Sequence, residues 1–204
     1  MLSELLGSEL KVIGLTGGVG MGKSTVARLL QSRGFAMVDT DDLARQIVQP
    51  GQPALAEITQ TFGAHLQDAG GQLRREALAR IVFADAAARA KLEAITHPRI
   101  RQRWQEQLRA WRTEKRAAAV VVIPLLYETR AESEFDAVIC VACSLESQAQ
   151  RLAARGWSKE QIEQRRAAQL AIEDKMDRAD YVIWTEGDAI NASRQLDRLL
   201  PDLR

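Results

Sequence analysis

Residues 11–25 read K-V-I-G-L-T-G-G-V-G-M-G-K-S-T, and this stretch decides the fold. Its apolar run at 12–15 predicts a buried strand, and apolar residues spaced three or four apart after Ser24 predict a helix. Between them lies the pattern G-x-x-x-x-G-K-[ST], which begins at Gly17 and closes with Gly22, Lys23 and Ser24. A strand, this glycine turn and a helix in succession predict a loop that binds the phosphates of a nucleoside triphosphate.

The residue types of this loop suit a polyphosphate ligand. Glycines let backbone N–H groups turn inward and approach a phosphate closely, and the following helix adds its unpaired N–H groups and the positive end of its dipole. Lys23 supplies a mobile positive charge for the outer phosphates, and the Ser24 hydroxyl is placed to ligate Mg²⁺. A chance glycine loop with a stray lysine would not explain the strand before it and the helix after it.

The composition is that of a globular chain with one domain, or one core with inserted subdomains: 204 residues, 46% of them hydrophobic and 27% charged. The formal net charge of +1 gives no global attraction for nucleic acid or anionic lipid.

The first ten residues lack a cationic start, so we interpret them as a frayed or short helical lead-in and not as a signal peptide. No apolar run approaches the roughly 18 residues of a membrane span. We expect a cytoplasmic protein, a monomer or weak oligomer, with small-molecule partners and neither nucleic acid nor membrane.

The two cysteines, Cys140 and Cys143, form a C-x-x-C within the apolar run D-A-V-I-C-V-A-C. Such a run predicts a buried strand, on which residues three apart face opposite sides. Redox pairs of this spacing lie at helix starts, so we interpret both residues as inert thiols and not as a redox or metal site.

Three aspartates follow a second short apolar strand predicted at 35–38, where parallel sheets hold their ligands. Strand alternation would put Asp39 and Asp41 on one side, where two carboxylates suit Mg²⁺ held partly through water and a base for a hydroxyl proton. The alternative is that Asp41 or Asp42 caps a helix beginning near Leu43.

A long helical stretch separates this strand from the next. A turn cluster at 50–53 precedes predicted helices at 54–63, 74–83 and 87–95, and His97-Pro98 is predicted to start another, arginine-rich helix. No strand is expected before residue 118, so about 50–116 reads as an inserted subdomain. His97 is either a capping or core histidine or a substrate contact. The arginines favour a solvated face over RNA binding.

Three more strands are predicted, at 117–123, 136–143 and 179–184. The first lacks the terminal aspartate of motor-type ATPases, and the N-K-x-D motif of GTPases does not occur, so a small-molecule kinase is favoured. Glu128, just beyond that strand, either reaches the site or lies on the surface.

Residues 144–178 read as a lid. Ser144 can cap a helix that carries Arg151 and Arg155 and ends at Gly156, and Ser158 with Gln161 forms a capping box for a second helix. This second helix carries Arg165 and Arg166. These arginines either close over a triphosphate or solubilise the helices.

Together the elements predict an α/β fold for residues 1–204, with a five-stranded parallel sheet flanked by helices, an inserted helical subdomain at about 50–116 and a short helical lid at about 144–178. This is the arrangement of P-loop kinases. The sequence resembles the dephospho-CoA kinase family from Val12 to about Gly187. The matching blocks are G-L-T-G-G-x-G-x-G-K-S-T at 14–25, D-x-D at 39–41, A-R-x-[IV]-V-x-P-G at 44–51, L-x-x-[IL]-x-H-P-x-I at 92–100, P-L-L-[FY]-E at 124–128, Q-x-x-R-L-x-x-R at 148–155, R-x-x-x-Q at 165–169, a lysine at 175 and A-D-[YF]-V-I at 179–183.

The resemblance implies ATP-dependent phosphorylation of the ribose 3′-hydroxyl of dephospho-CoA, the last step of coenzyme A biosynthesis, with Mg²⁺. It makes Asp41 the general base and Asp39 a carboxylate near Mg²⁺. Lys23 and Ser24 would hold the triphosphate and the metal, and the stretch at about 50–116 would bind the acceptor. It further assigns Gly17, Gly18, Gly20, Met21, Gly22, Thr25 and Arg155 to ATP, Arg151 and Arg155 to catalysis from the lid, and Asp39, Asp41, His97, Pro124, Leu125, Leu126 and Arg165 to the acceptor.

Two positions depart from the family pattern. Thr185 stands where the family usually has Asn after the last strand, and Met21 stands where Ser or Ala is common. We expect little effect from Met21, because its side chain can point away from the ligand.

Two other functions are compatible with the loop: another kinase of small molecules or nucleoside monophosphates, and a nucleotide-binding regulator without activity. The presence of Asp41, Lys23 and Arg155 argues against the regulator.

Overall fold

The structure is a computed structural model that describes residues 10–203, so most of the predicted N-terminal lead-in lies outside the described residues. The strands of the described chain are β1 (Lys11–Gly17), β2 (Ala36–Asp39), β3 (Ala118–Val122), β4 (Ala137–Ala142) and β5 (Tyr181–Trp184). They form one sheet in the order β2-β3-β1-β4-β5, and each adjacent pair is parallel. The predicted five-stranded parallel sheet is confirmed.

The helices of the described chain are α1 (Lys23–Ser32), α2 (Thr40–Gln46), α3 (Pro53–Phe62), α4 (Arg75–Ala84), α5 (Ala86–Thr113), α6 (Leu145–Ala153), α7 (Lys159–Ala167), α8 (Ile172–Arg178) and α9 (Ala189–Leu199). Two short 3₁₀ turns lie at Ala64–Leu66 and Glu132–Glu134. Within residues 10–203, no helix combines the length and apolar character that a bilayer span needs.

The predicted helix start at His97-Pro98 is wrong, because both residues lie inside the 28-residue helix α5. Proline lacks one N–H and usually breaks or kinks a helix. Here Ile95 is buried on one side of Pro98 and Trp104 on the other, with exposed fractions of only 5% and 3%. Because both halves are packed, burial outweighs the loss of one hydrogen bond.

The chain divides into two compact units, one of Met1–Asp39 with Arg109–Arg204 and one of Thr40–Leu108. In the larger unit, apolar side chains of the sheet pack against α1 and α9, with β1 and β3 almost wholly buried. Two aspartates secure the amino ends of neighbouring strands. Asp136 accepts the Val12 N–H at 2.7 Å, and Asp180 accepts the Val138 N–H at 2.8 Å.

The smaller unit has its own core, to which α2, α3, α4 and α5 or the turns beside them contribute. Its buried members include Ile47, Ile58, Leu78 and Ile95. A polar glycine turn lies at 68–71, where Asp68 Oδ1 accepts the N–H groups of Gly70 and Gln72, at 2.9 and 2.8 Å. The unit therefore has a packed interior that does not depend on a strand of the sheet.

Candidate active site

The phosphate loop, residues 17–25, connects β1 to α1 as predicted. Gly20 and Gly22 have φ values of 74° and 93°, which side-chain-bearing residues rarely adopt. Gly22 occupies the position immediately before α1, so the loop delivers the chain directly into the helix. The first N–H groups of α1 therefore face the end of the loop, where an anion is favoured.

Close packing gives a second reason for glycine in the phosphate loop. A Cβ at Gly20 would lie 2.7 Å from Leu152 of α6, and one at Gly22 would lie 3.0 Å from Oγ1 of Thr185. At Gly17 it would collide with the Val141 carbonyl oxygen of β4. The loop is thus held between the end of the sheet and α6, with no room for side chains at these positions.

Lys23 and Ser24 occupy the first turn of α1. Lys23 Nζ donates to the carbonyl oxygens of Gly17 and Gly18, at 2.8 and 2.9 Å, so its ammonium group is curled back over the loop. Ser24 is exposed at the same end of the helix. A cation over the loop and an exposed hydroxyl beside it are the groups that a triphosphate and its metal require.

Met21 takes part in the loop through its backbone. Its side chain is 2% exposed and packs in a small cluster with Cys140, Cys143 and Ile172. Its carbonyl oxygen accepts a hydrogen bond from Oγ1 of Thr185 at 2.8 Å. The side chain therefore anchors the loop to the core beneath it.

The cysteines share that cluster, so the expectation that they face opposite sides is wrong. The reason is that β4 ends at Ala142, and Cys143 lies beyond the alternating part of the strand. Both thiols are free and buried. Burial raises the pKa of Cys140 to about 11 and also raises the pKa of Cys143. Both groups are therefore protonated and unreactive near neutral pH, which agrees with the interpretation as inert thiols.

Thr185, which replaces the family's asparagine, is a junction between three parts of the larger unit. Its Oγ1 lies 2.8 Å from the Met21 carbonyl oxygen and 3.2 Å from that of Ala142. The Arg151 guanidinium donates to the same Oγ1 at 3.1 Å and to the Thr185 carbonyl oxygen. The Thr185 side chain is thus occupied in joining the phosphate loop, the end of β4 and α6.

One face of α6 lies against the phosphate loop. Gln148 and Leu152 are four residues apart and share this face. Leu152 packs on Gly20, and Gln148 Nε2 donates to the Val19 carbonyl oxygen at 2.7 Å. The Val19 N–H donates in turn to Oε1 of Gln169, at 3.2 Å. Both glutamines belong to motifs noted in the sequence, but their side-chain contacts were not predicted. The available signal was the helical spacing within Q-x-x-R-L, which puts Gln148 and Leu152 on one face of a helix.

The helix caps predicted for the lid are present. Ser144 caps α6 by accepting the Ser147 N–H, and Ser158 and Gln161 form the full capping box of α7. The expected end of the first lid helix at Gly156 is late, because α6 ends at Ala153 and a turn follows.

The lid arginines have different surroundings. Arg151 is half-buried at its contact with Thr185, whereas Arg155 is exposed in the turn after α6. Arg165 of α7 is exposed and stacks over the Trp157 ring, at 5.6 Å from the ring centroid. Arg166 is half-buried and lines a cavity beside the loop.

The P-L-L-Y-E block contains a buried ion pair that the sequence did not predict. Glu128 Oε1 lies 2.8 Å from Nζ of Lys175 in α8, whose side chain is fully buried. The same carboxylate oxygen accepts the Leu170 N–H at 2.8 Å, and Lys175 also donates to the Pro124 carbonyl oxygen. Glu128 therefore fixes the chain just before α8 and is not a surface residue. One signal in the sequence could have indicated the buried lysine: Lys175 lies at helical spacing from Ile172 and next to Met176, on the apolar side of a short helix.

The apolar residues of that block are mainly structural. Leu126 is fully buried, and it lies where a Cβ on Gly14 would meet it. Pro124 and Leu125 are half-buried, so they are the members whose side chains a ligand can touch. The assignment of these three residues to the acceptor stays a prediction.

Asp39 is the last residue of β2, at the carboxyl edge of the sheet. It is paired with Val122 of β3, which is paired in turn with Leu15 of β1. Because adjacent strands are about 4.8 Å apart, the Asp39 Cα lies about 10 Å across the sheet from the strand that feeds the phosphate loop. Asp39 is half-buried at this edge.

Asp41 belongs to α2 of the smaller unit. The expectation that strand alternation puts it on the same side as Asp39 is wrong, because β2 ends at Asp39 and the helix begins at Thr40. Asp41 and Asp42 lie in the first turn, where negative charge suits the helix dipole. Asp42 pairs with Arg45 at 2.6 Å, and Asp41 is exposed.

His97 is half-buried within α5, also in the smaller unit. A capping role is excluded by its position in the middle of a continuous helix. The two remaining interpretations, a core histidine and a substrate contact, are both compatible with half-burial.

The donor set near the loop fits Mg²⁺. This ion usually keeps several waters and takes one or two protein oxygens together with substrate phosphates. The exposed Ser24 hydroxyl and the Asp39 carboxylate can supply such oxygens. Among residues 10–203, no group of three or more His, Cys, Asp and Glu side chains is placed to hold a metal.

Comparison with known proteins places the chain in a family. The family model described as dephospho-CoA kinase matches residues 11–191. The chain is 42% identical to the dephospho-CoA kinase of Bdellovibrio bacteriovorus, over 94% of this chain and 95% of that protein. It is 45% identical to that of Anaeromyxobacter dehalogenans, over 96% and 93%. The crystal structure of TT1252 from Thermus thermophilus aligns with a TM-score of 0.82 and 34% identity, covering 97% of this chain and 100% of that one. Since similarity of this extent covers the loop, the helical stretch and the lid alike, the chain belongs to the dephospho-CoA kinase family.

Proposed function

We propose that this chain is an ATP-dependent kinase that phosphorylates the ribose 3′-hydroxyl of dephospho-CoA, giving coenzyme A and ADP. The observation that carries the proposal is the phosphate loop, in which Lys23 lies over the glycine turn at the start of α1. Membership of the dephospho-CoA kinase family supports the choice of acceptor.

On the donor side, the glycine loop and the first turn of α1 bind the β- and γ-phosphates through backbone N–H groups. Lys23 exchanges its carbonyl partners for phosphate oxygens, because a charged oxygen is the stronger acceptor. Arg155, which is exposed, contributes positive charge from the lid to the transferring group, whereas Arg165, also exposed, is assigned to the acceptor. Arg151 joins Arg155 in this role, although its guanidinium already contacts Thr185.

On the acceptor side, Asp41 acts as general base and accepts the proton of the 3′-hydroxyl as the oxygen attacks phosphorus. Asp39 and Ser24 would hold Mg²⁺, which would supply positive charge to neutralise the triphosphate. The helical stretch at about 50–116, with His97, binds dephospho-CoA together with Pro124 and Leu125, and the buried Leu126 supports these two residues from the core. Most of the rate enhancement then comes from positioning and electrostatics.

The proposed partners are the small-molecule substrates alone, with no nucleic acid, and the proposed assembly is a monomer or weak oligomer. The net charge of +1 supports the first point, because it provides no general attraction for polyanions. The cytoplasm is the proposed location, since the reaction consumes ATP.

The decisive experiment measures ADP release with dephospho-CoA, AMP and adenosine as acceptors under identical ATP and Mg²⁺. We expect kcat/KM for dephospho-CoA to exceed that for either other acceptor by at least about 10³-fold, because the phosphopantetheine arm contributes binding energy that the smaller acceptors lack. Preferential phosphorylation of AMP would instead identify a nucleoside monophosphate kinase. Tight ATP binding without ADP release for any acceptor would identify a regulator.

A further inference from the structure

Val19, at the tip of the phosphate loop, has both of its backbone polar groups bound by side chains. Its carbonyl oxygen accepts from Gln148 Nε2 at 2.7 Å, and its N–H donates to Gln169 Oε1 at 3.2 Å. The two glutamines come from different segments, one from α6 and one from the turn after α7. The Val19 backbone is therefore fixed from two sides.

This double contact matters because Val19 lies between two glycines, Gly18 and Gly20. Glycine gives the backbone the largest conformational freedom, which must be lost when the loop closes around phosphates. With the Val19 N–H bound to Gln169 and the Val19 carbonyl bound to Gln148, the two peptide units on either side of Val19 are each held in one orientation. The remaining loop N–H groups are then arranged for an anion before it binds.

Burial makes the contact of Gln148 specific. Its side chain is 2% exposed, and Nε2 is the atom that binds Val19, because only the amide nitrogen can donate to a carbonyl oxygen. Oε1 has no hydrogen-bond partner within the described chain. At Gln169 the chemistry is reversed, because the oxygen accepts. One amide supplies a donor and the other an acceptor to the same residue.

We propose that Gln148 and Gln169 are positioning residues that preorganise the phosphate loop for the triphosphate by fixing the Val19 backbone. The proposal rests on the proposed phosphoryl transfer and adds residues that do not touch the reacting atoms. It also means that the base of the lid and the phosphate loop act as one structure, since both glutamines belong to the lid segment.

The donor and acceptor roles give opposite predictions for one substitution. Gln169→Glu keeps an oxygen for the Val19 N–H, so kcat/KM for ATP stays within about threefold of wild type. Gln148→Glu removes the donor and sets a carboxylate against the Val19 carbonyl, so kcat/KM for ATP falls at least about tenfold. KM for dephospho-CoA stays unchanged in both variants. Gln169→Leu removes the acceptor, so it lowers kcat/KM for ATP by about as much as Gln148→Glu does.

Charges near the two glutamines do not explain such a contrast. Both line the same cavity of about 250 Å³, together with Arg166 and Glu173. These charges therefore act on an engineered carboxylate at either position. Because Gln148 is 2% exposed and Gln169 is half-buried, the cost of burying the new charge is larger at Gln148, and the change in Tm measures that part.

Gln195 provides a matched control. Its amide also binds one residue from both sides, accepting the Trp184 N–H at 2.9 Å and donating to the Trp184 carbonyl oxygen at 2.8 Å. Gln195→Glu removes a similar donor at the edge of the sheet, so it lowers Tm and leaves kcat/KM for ATP unchanged.

The experiment measures steady-state kinetics and Tm for wild type and the four variants. Equal effects of Gln148→Glu and Gln169→Glu, or wild-type kinetics for Gln148→Glu, would overturn the proposal. If wild type does not phosphorylate dephospho-CoA, the proposed function fails, and the same contrast is then read from the Kd of MgADP by calorimetry. A loss of affinity in Gln148→Glu but not in Gln169→Glu supports the positioning role, and equal affinities refute it.

Discussion

Asp41 is one of two neighbouring aspartates in the first turn of α2, and only it is assigned a chemical role. We predict that Asp41→Asn lowers kcat by at least about 10²-fold, the usual loss when a general base is removed. ATP binding should stay near wild type, because the amide keeps the size of the side chain. Steady-state ADP release and calorimetry with ATP measure the two quantities.

Asp42 supplies the control for that prediction, since it is exposed and paired with Arg45. Asp42→Asn changes the same charge one residue away, and it should leave kcat within about twofold because an exposed pair contributes little energy. Full activity of Asp41→Asn would remove Asp41 from the mechanism.

Lys23 is the second residue whose role can be tested alone. Lys23→Ala removes a cation whose contact with phosphate strengthens as charge develops, so we predict a fall in kcat/KM of at least about 10²-fold. Lys11→Ala is the control, because this lysine lies at the other end of β1 and donates to the Asp202 carbonyl oxygen. An unchanged kcat/KM in Lys23→Ala would refute the assignment.

At the level of elements, the Glu128–Lys175 pair joins the segment after β3 to α8. Glu128→Gln leaves a fully buried ammonium group without its counter-charge, so we predict that the free energy of unfolding falls by about 3 kcal/mol. Lys175→Met should cost less, because Glu128 keeps its hydrogen bond from the Leu170 N–H and is 20% exposed, whereas the Lys175 side chain is fully buried. Urea unfolding measures both.

The double variant Glu128→Gln/Lys175→Met completes the cycle and should be more stable than Glu128→Gln alone, since no buried charge remains. Arg116→Met is the control, because Arg116 pairs with Glu114 at the surface, and its loss should cost less than about 1 kcal/mol. Strictly additive effects of the two buried substitutions would contradict the coupling.

The same elements indicate how far sequence determines this structure. Strands and caps were predictable because local chemistry dictates them: β3 is an unbroken apolar run, and Ser158 and Gln161 carry the signature of a capping box. The features that were predicted wrongly depend on tertiary packing. Packing keeps α5 continuous through Pro98, and the chain passes from β2 into α2 before Asp41, so the strand alternation expected for Asp39 and Asp41 does not apply.

The candidate site divides in a similar way. The phosphate loop could be located because its glycines and Lys23 are contiguous in sequence. The partners of Val19, Glu128 and Thr185 could not, because each contact joins segments far apart in the chain. Motif positions therefore identified important residues without indicating what they touch.

For the whole molecule, buried acidic groups predict a loss of stability in alkali. The pKa of Cys140 is about 11 in the folded chain against an ordinary value of 9.0, so folding favours the protonated thiol. The stabilisation from this pKa difference is fully present below pH 9 and is lost as the pH rises toward 11. The free energy of unfolding therefore falls by about 3 kcal/mol over this range. Urea unfolding at several pH values measures this slope.

Two variants separate the sources of that slope. Cys140→Ala should flatten the profile between pH 9 and 11, whatever its absolute stability. Burial also raises the pKa of Tyr127 to about 12, so Tyr127→Phe should flatten it only above pH 10. An unchanged slope in Cys140→Ala would contradict the assignment.

The central position of β1 has a consequence for biosynthesis on the ribosome. This strand is made first, yet its neighbours in the sheet are β3 and β4, and the Val12 N–H meets its Asp136 partner 124 residues later. Such distant pairing delays folding, because the entropy of closing a long loop is lost before any stabilising contact forms. The nascent chain therefore acquires a nucleotide-binding loop only after β4 has emerged, whereas residues 40–108 can fold earlier.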